Sequence, residues 1–134
     1  CGTPAISASG TPSASAASGF TISASPARAN RTGVLLYNTG RETPAVPFQG
    51  GLLCVQAAGV RRGGPANSGG NATCDGIFAI DMNTFAAGLW PQPAYNPAPF
   101  LGQIGQRVSV QWWGRDTLAT GSFLSDALEY TVCP

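Results

Sequence analysis

The chain has 134 residues, a length that suits one domain, with 18 Gly, 11 Pro and a formal net charge of +1. Such a composition is poor for long helices and favours short strands joined by many turns. The nearly neutral charge gives no electrostatic case for nucleic acid as a partner, and no apolar run approaches the roughly 18 residues of a membrane-spanning helix.

The N-terminal tract, residues 3–25, consists mostly of Ser, Ala, Gly and Thr and carries no charge. Ile6 and Phe20 lie among alternating small residues, and Pro and Gly recur at intervals typical of short strands. The pattern therefore indicates structure rather than a disordered tail. The predicted strands cover about 5–9, 13–17 and 19–24.

Apolar runs in the middle of the chain predict further strands. Residues 33–38 are apolar enough to be buried on both faces. Residues 52–56 and 77–82 read as strands as well, whereas Pro47 places the short extended run around it at an edge or a bulge.

Between these strands lies a long Gly-rich excursion, residues 57–76. Arg61 and Arg62 within it could bind an acidic partner, but a solvated loop tip is the favoured interpretation. Further along, Asn83 is expected to cap a single helical turn that ends at Gly88.

A Pro-rich surface loop at 90–100 leads into a final hairpin at 105–134. Its arms alternate with a period of two, which is typical of half-buried strands. One face of the first arm carries Val108, Val110 and Trp112, and the other carries Ser109, Gln111 and Trp113. The whole chain, 1–134, is predicted to be one all-β domain, a two-sheet β-sandwich (Ig-like or jelly-roll-like) with long loops and little helix.

Four cysteines lie at positions 1, 54, 74 and 133 without CxxC spacing, and the chain has no His, so a zinc site is not favoured. Their even number predicts two disulfides and an oxidising, extracellular or cell-surface location. Loop-closure entropy does not choose among the three connectivities. We expect Cys54–Cys74, which would staple the Gly-rich excursion, and Cys1–Cys133, which would tie the two termini.

Five motifs, at residues 10–20, 35–37 with 46–51, 81–83, 111–116 and 125–134, carry a resemblance. With them the chain resembles an uncharacterised domain that recurs near the C-termini of large secreted proteins of environmental bacteria. The resemblance covers nearly the whole chain. It implies export, a disulfide-stabilised β-rich fold and attachment to larger surface proteins, with a further cysteine upstream of Cys1, and it implies no reaction.

Catalytic groups are scarce. The chain has no His and no Lys, which are the usual bases for Ser or Cys nucleophiles, so we expect no enzyme and no cofactor. Asp116 and Asp126 bracket the last hairpin loop and could form a glycosidase-like pair. An ion pair with Arg115 that fixes the loop is the favoured interpretation.

Aromatic side chains are the stronger binding candidates. Trp113 must face away from Trp112, and with Arg115 nearby it could stack on a sugar or fill a pocket of a partner. The alternative is that the Pro-rich loop covers it, with Trp90 or Tyr95 packed on its ring.

Two functions follow as hypotheses. The leading one is a non-catalytic extracellular structural or assembly module that self-associates through its uncharged N-terminal strands. The alternative is a carbohydrate-binding or adhesion module that uses Trp113, Trp90 and Tyr95. Asn30 and Asn71 begin N-x-[ST] sequons in predicted loops and are glycosylation candidates.

Overall fold

The computed structural model describes residues 1–91, 95–116 and 121–134. In these ranges, ten strands are joined by one α-helix and one 3₁₀ helix, so the predicted all-β class is confirmed. The strands are β1 (Ala5–Gly10), β2 (Phe20–Ala27), β3 (Thr32–Asn38), β4 (Arg41–Phe48), β5 (Gly51–Val55), β6 (Arg61–Arg62), β7 (Ala66–Asn67), β8 (Gly76–Asp81), β9 (Arg107–Arg115) and β10 (Ser122–Thr131). Helix α1 (Met82–Ala86) follows β8, and the 3₁₀ helix (Pro99–Gly102) precedes β9.

The strands form three antiparallel sheets. The first has the order β1-β2-β8. The second, called here the central sheet, has the order β10-β9-β3-β6, and β7 also pairs with β3. The third is the β4–β5 hairpin.

The main core lies between the first sheet and the central sheet. Alternate apolar residues of β2 and β8 share one cluster with alternate residues of β3 and β9, so the two sheets pack face to face. The cluster includes Ile22, Phe78, Ile80, Leu35, Tyr37, Val108, Val110 and Trp112. The core face predicted for the final hairpin is confirmed.

A second, smaller core lies on the opposite face of the central sheet. Val34 and Leu36 of β3 contact Leu53 and Val55 of β5 there. The β4–β5 hairpin thus adds a third layer that the sequence pattern did not predict. Strand β3 is buried on both faces, as predicted.

Gln111 fixes the β4–β5 hairpin to the central sheet. Its side chain is buried, and its Oε1 accepts a hydrogen bond from the Cys54 amide at 2.9 Å. Its Nε2 donates to the carbonyl oxygens of Leu52 and Ser125, at 2.9 and 2.7 Å. This polar residue on the second face of β9 is therefore buried, and both its oxygen and its nitrogen form hydrogen bonds with protein groups rather than with water.

The predicted strand at 13–17 is wrong. The Ser13 hydroxyl accepts hydrogen bonds from the amides of Ser15 and Ala16, at 3.2 and 3.0 Å. Such local side-chain contacts close a turn and compete with strand pairing. The segment retains one isolated bridge, between Ser13 and Cys133.

The predicted helix cap is shifted by two residues. Asp81, not Asn83, is the N-cap of α1, and its carboxylate accepts from the amides of Asn83 and Thr84. Asn83 is buried and fixes the loop between β1 and β2, since its Nδ2 donates to the carbonyl oxygens of Thr11 and Ser18.

The predicted disulfides Cys54–Cys74 and Cys1–Cys133 are also wrong. Cys1 is bonded to Cys74, with Cα atoms 5.3 Å apart, and Cys54 and Cys133 are free, half-buried thiols. Strand order explains the pairing. The strands β1 and β8 flank β2 and run in the same direction, so both begin at the same end of the sheet. Cys1 and Cys74 lie just before these two strands.

The excursion at 57–76 is not a stapled loop. Two short strands within it, β6 and β7, pair with β3 at the edge of the central sheet. Parts of two other predicted loops, residues 92–94 of the Pro-rich segment and 117–120 of the final hairpin, lie outside the described residues.

Candidate functional site

The candidate site begins on the outer face of the central sheet, where three strands meet. Register places Trp113 of β9 beside Val34 of β3, and Leu36 beside Arg62 of the edge strand β6. Because strand side chains alternate, Arg115 lies on the same face as Trp113. One face therefore presents two arginines and a tryptophan around an apolar floor.

These side chains line a recess of about 300 Å³. Phe48, the last residue of β4, and Gln49, in the turn that follows, also line it. Its volume is at the small end of the range for ligand sites. The lining residues are Val34, Leu36, Phe48, Gln49, Arg62, Trp113 and Arg115.

Trp113 is held in place on two sides. Its indole Nε1 donates a hydrogen bond to Gln49 Oε1 at 3.0 Å, and the guanidinium carbon of Arg115 lies 5.0 Å from its ring centroid. Gln49 is itself fixed by the Ser122 hydroxyl, which donates to its Oε1 at 3.2 Å. The half-buried ring thus positions the exposed Arg115 by a cation–π contact.

A second recess, of about 350 Å³, adjoins the first at Arg62. Arg61 lies beside Asn96 there, and its guanidinium donates to the Asn96 carbonyl oxygen at 3.2 Å. Tyr95 and Val60 complete the lining. We call the two recesses together the arginine–aromatic groove, because Arg62 contributes to both. Arg62 pairs with Leu36 and Arg61 with Tyr37, so the two arginines lie on opposite faces of the central sheet and the groove passes around its edge at β6.

The groove contains no negative charge. All six carboxylates of the sequence lie in the described ranges, and none lines either recess. They are used elsewhere: Asp116 with Arg28, Glu129 with Arg107, Asp126 with the Ile6 amide, Glu42 with the Ala57 amide, Asp75 with the Asn71 amide, and Asp81 as helix cap.

Asp116 and Asp126, considered above as a carboxylate pair, have different partners. Asp116 follows the end of β9 and lies 3.4 Å from the Arg28 guanidinium. Asp126 lies at a bulge within β10, where it accepts a hydrogen bond from the Ile6 amide at 2.6 Å. Arg115, expected to pair with these acids, stacks on Trp113 instead.

The three aromatic candidates are not brought together. Trp113 and Tyr95 line adjoining parts of the groove. Trp90 packs against the main core and against Gly64, away from both recesses. Covering of Trp113 by Trp90 or Tyr95 is also wrong, since both pack on the main core while Trp113 belongs to the smaller one.

Arg61 and Arg62 line the groove, but the sequence placed them on a loop. Both are exposed, as expected of a loop tip, but they form a strand paired with β3. A two-residue strand shows no periodicity. The available signal was the adjacent Gly63, whose amide donates to the Leu35 carbonyl oxygen at 2.8 Å and which packs closely on β3.

A larger recess, of about 490 Å³, lies on the other side of the β4–β5 hairpin. Four residues of β4, 42–45, bulge away opposite Cys54 and open it. Cys54 therefore faces a mostly apolar hollow that is also lined by Pro44 and Leu128.

The two sequons lie close together near the disulfide. Asn30 and Asn71 are both exposed, and the Asn30 side chain donates to the Gly70 carbonyl oxygen at 3.4 Å. Their accessibility fits the glycosylation prediction, which stays a prediction.

The chain matches no protein-family model, no curated protein and no solved structure. Within residues 1–91, 95–116 and 121–134, no group of three His, Cys, Asp or Glu side chains is placed to hold a metal ion. Over the same ranges no helix has the length and apolarity needed to cross a membrane.

Proposed function

We propose that this domain is a non-catalytic binding or adhesion module of an exported protein, and that it holds a saccharide in the arginine–aromatic groove. The observation that carries the proposal is the placement of Trp113, Arg115 and Arg62 on one face of the central sheet, around one recess. Guanidinium groups donate several hydrogen bonds, which suits the many oxygens of a sugar, and the Trp113 ring holds one of them in place. The Cys1–Cys74 disulfide supports an oxidising location.

The carboxylates support a binding role rather than hydrolysis. A glycosidase needs two carboxyl groups on either side of one bond. Here each of the six acids is used in an ion pair, a backbone hydrogen bond or a helix cap.

A glycan array tests the proposal. The wild-type protein should bind a defined saccharide set, and Trp113→Ala and Arg62→Gln should each abolish that binding. Arg41→Gln is the matched control, because Arg41 is exposed and lines the other large recess. Wild-type signal that survives both groove substitutions would place the binding site elsewhere.

Self-association remains a second candidate, and strand β1 favours it. This strand is an edge of the first sheet, carries no charge and is largely exposed. Edge strands of that kind are open to strand addition. Residues 13–17 do not form a strand and therefore offer no second edge for pairing. Within β1, the Ile6 amide already donates a hydrogen bond to Asp126.

Sedimentation velocity tests this candidate. Wild-type protein should form concentration-dependent oligomers that Ser7→Lys removes while the monomer stays folded. A wild-type chain that stays monomeric at high concentration would exclude it.

A further inference from the structure

We infer that the saccharide held by the groove is acidic, with carboxylate groups bound by Arg115 and Arg62; this inference rests on the proposed function. The groove gathers three of the seven arginines of the chain and none of its carboxylates. Arg62 and Arg115 share the outer face of the central sheet, and Arg61 lies at the adjoining sheet edge. On a chain of net charge +1, this makes the region locally positive and favours an anionic ligand.

The state of the two arginines strengthens the case. Among the described residues, neither Arg62 nor Arg115 forms an ion pair. Both are exposed and face one recess. Their guanidinium groups are therefore available to a ligand, whereas Arg28 and Arg107 already have carboxylate partners.

Trp113 contributes chiefly by positioning. With the Arg115 guanidinium over its ring, that face is not open for a sugar to stack on. A guanidinium held by a cation–π contact keeps its N–H groups free, and its planar fork matches the two oxygens of a carboxylate. Trp113 and Arg115 together therefore favour binding of a planar anion over stacking of an apolar sugar face.

The extent of the groove points to a chain of sugars rather than a single one. The recess at Trp113 and the recess at Tyr95 share Arg62, and a ligand that contacts both must pass around the edge strand β6 at that residue. A polymer of uronic acids, with a carboxylate on each unit, has the required repetition of charge.

Single-stranded nucleic acid is also anionic and extended, but it fits less well. Its binding depends on exposed aromatic faces for base stacking and on many basic side chains. Here Arg115 covers a face of Trp113, and the chain has no Lys and a calculated pI of about 7.9.

Titration calorimetry with three probes tests the inference. The probes are a galacturonic acid oligomer, its methyl ester, which has the same sugars without charge, and a single-stranded DNA oligomer of similar charge. The wild-type domain should bind the acid at least about tenfold more tightly than the ester, since each charged hydrogen bond contributes a tenfold factor or more. Added salt should weaken binding of the acid.

Substitutions locate the interaction. Arg115→Gln and Arg62→Gln should each weaken binding of the acid about tenfold, and Arg115→Lys should recover only part of it, because Lys keeps the charge and loses the planar fork. Arg41→Gln should bind as the wild type does. Circular dichroism confirms that each variant is folded.

Each other outcome is decisive. Equal binding of acid and ester would overturn this inference and leave the proposed saccharide-binding function standing. Binding of neither saccharide nor of any glycan on the array would overturn both. Preferential binding of the DNA oligomer would identify the ligand as a nucleic acid, and it would overturn both this inference and the proposed saccharide-binding function.

Discussion

Phe78 and Trp112 stack across the main core with their ring centroids 5.4 Å apart and an interplanar angle of 24°. Phe78 belongs to β8 of the first sheet and Trp112 to β9 of the central sheet, so the contact joins the two sheets. Trp112 is 0% exposed. The adjacent Trp113, on the opposite face of the same strand, is half-buried and lines the groove.

These two tryptophans should respond differently to truncation. Trp112→Ala should lower the free energy of unfolding by about 3–5 kcal/mol, because it leaves a cavity between the sheets. Trp113→Ala should lower the free energy of unfolding clearly less, since part of its ring is already exposed to solvent. Chemical denaturation of both variants checks this, and equal losses would contradict the assignment of the two faces.

The disulfide should contribute most of any redox-dependent stability. Replacing Cys1 and Cys74 with Ser should lower the free energy of unfolding by about 4 kcal/mol, from the entropy of closing a loop with a sequence separation of 73 residues. Cys54→Ser and Cys133→Ser should have much smaller effects.

Peptide mapping provides the direct check on connectivity. Under non-reducing conditions a Cys1–Cys74 peptide should appear, and an alkylating reagent should label Cys54 and Cys133 in the unfolded protein. A Cys1–Cys133 peptide would restore the pairing expected from the sequence.

Asp81 should make stability fall in acid. Burial raises the pKa of this carboxyl, but hydrogen bonds from the amides of Gly19, Thr84, Phe20 and Asn83 outweigh burial, and the net pKa lies below its ordinary value. A carboxyl with a lowered folded-state pKa stabilises above its unfolded-state pKa, and that contribution is lost as the pH falls through the folded-state value. Asp81→Asn should therefore be less stable near neutrality and show a flatter loss between about pH 5 and pH 2.

Urea denaturation across that pH range measures this effect. Asp126→Asn serves as a comparison, because Asp126 is exposed and accepts a single backbone hydrogen bond. Parallel pH profiles for the wild type and Asp81→Asn would contradict the role assigned to the cap.

Gly64 should tolerate no side chain. A Cβ atom at this position would overlap the indole ring of Trp90, so Gly64→Ala should cost roughly 1–3 kcal/mol through overpacking. Gly102→Ala is the matched control, because a Cβ there meets nothing within 4 Å. Thermal melting of the two variants separates steric overlap from a general effect of replacing glycine.

The sequence predicted those parts of the fold that depend on local periodicity. Alternation along β9 correctly predicted that Trp112 is buried and that Trp113 lies on the other face. The apolar run of β3 correctly predicted burial on both faces. These signals are local, because a strand side chain takes its face from its own position.

Features that depend on strand order or on side-chain hydrogen bonds were not predictable. Cys1 meets Cys74 because β1 and β8 flank β2, and the spacing of cysteines does not encode that order. The hydroxyl of Ser13 turns a segment whose composition suited a strand. Arg62 reaches the groove through a two-residue strand, too short for any pattern.

The indole resonances of the three tryptophans give the most direct test of the groove as the binding site. Trp113 Nε1 donates to Gln49 at the recess, whereas Trp112 and Trp90 pack in or against the main core. In an NMR titration with the galacturonic acid oligomer, the Trp113 indole N–H should shift progressively and saturate while that of Trp112 stays in place. A Trp113 resonance that does not move at saturating ligand would contradict the account.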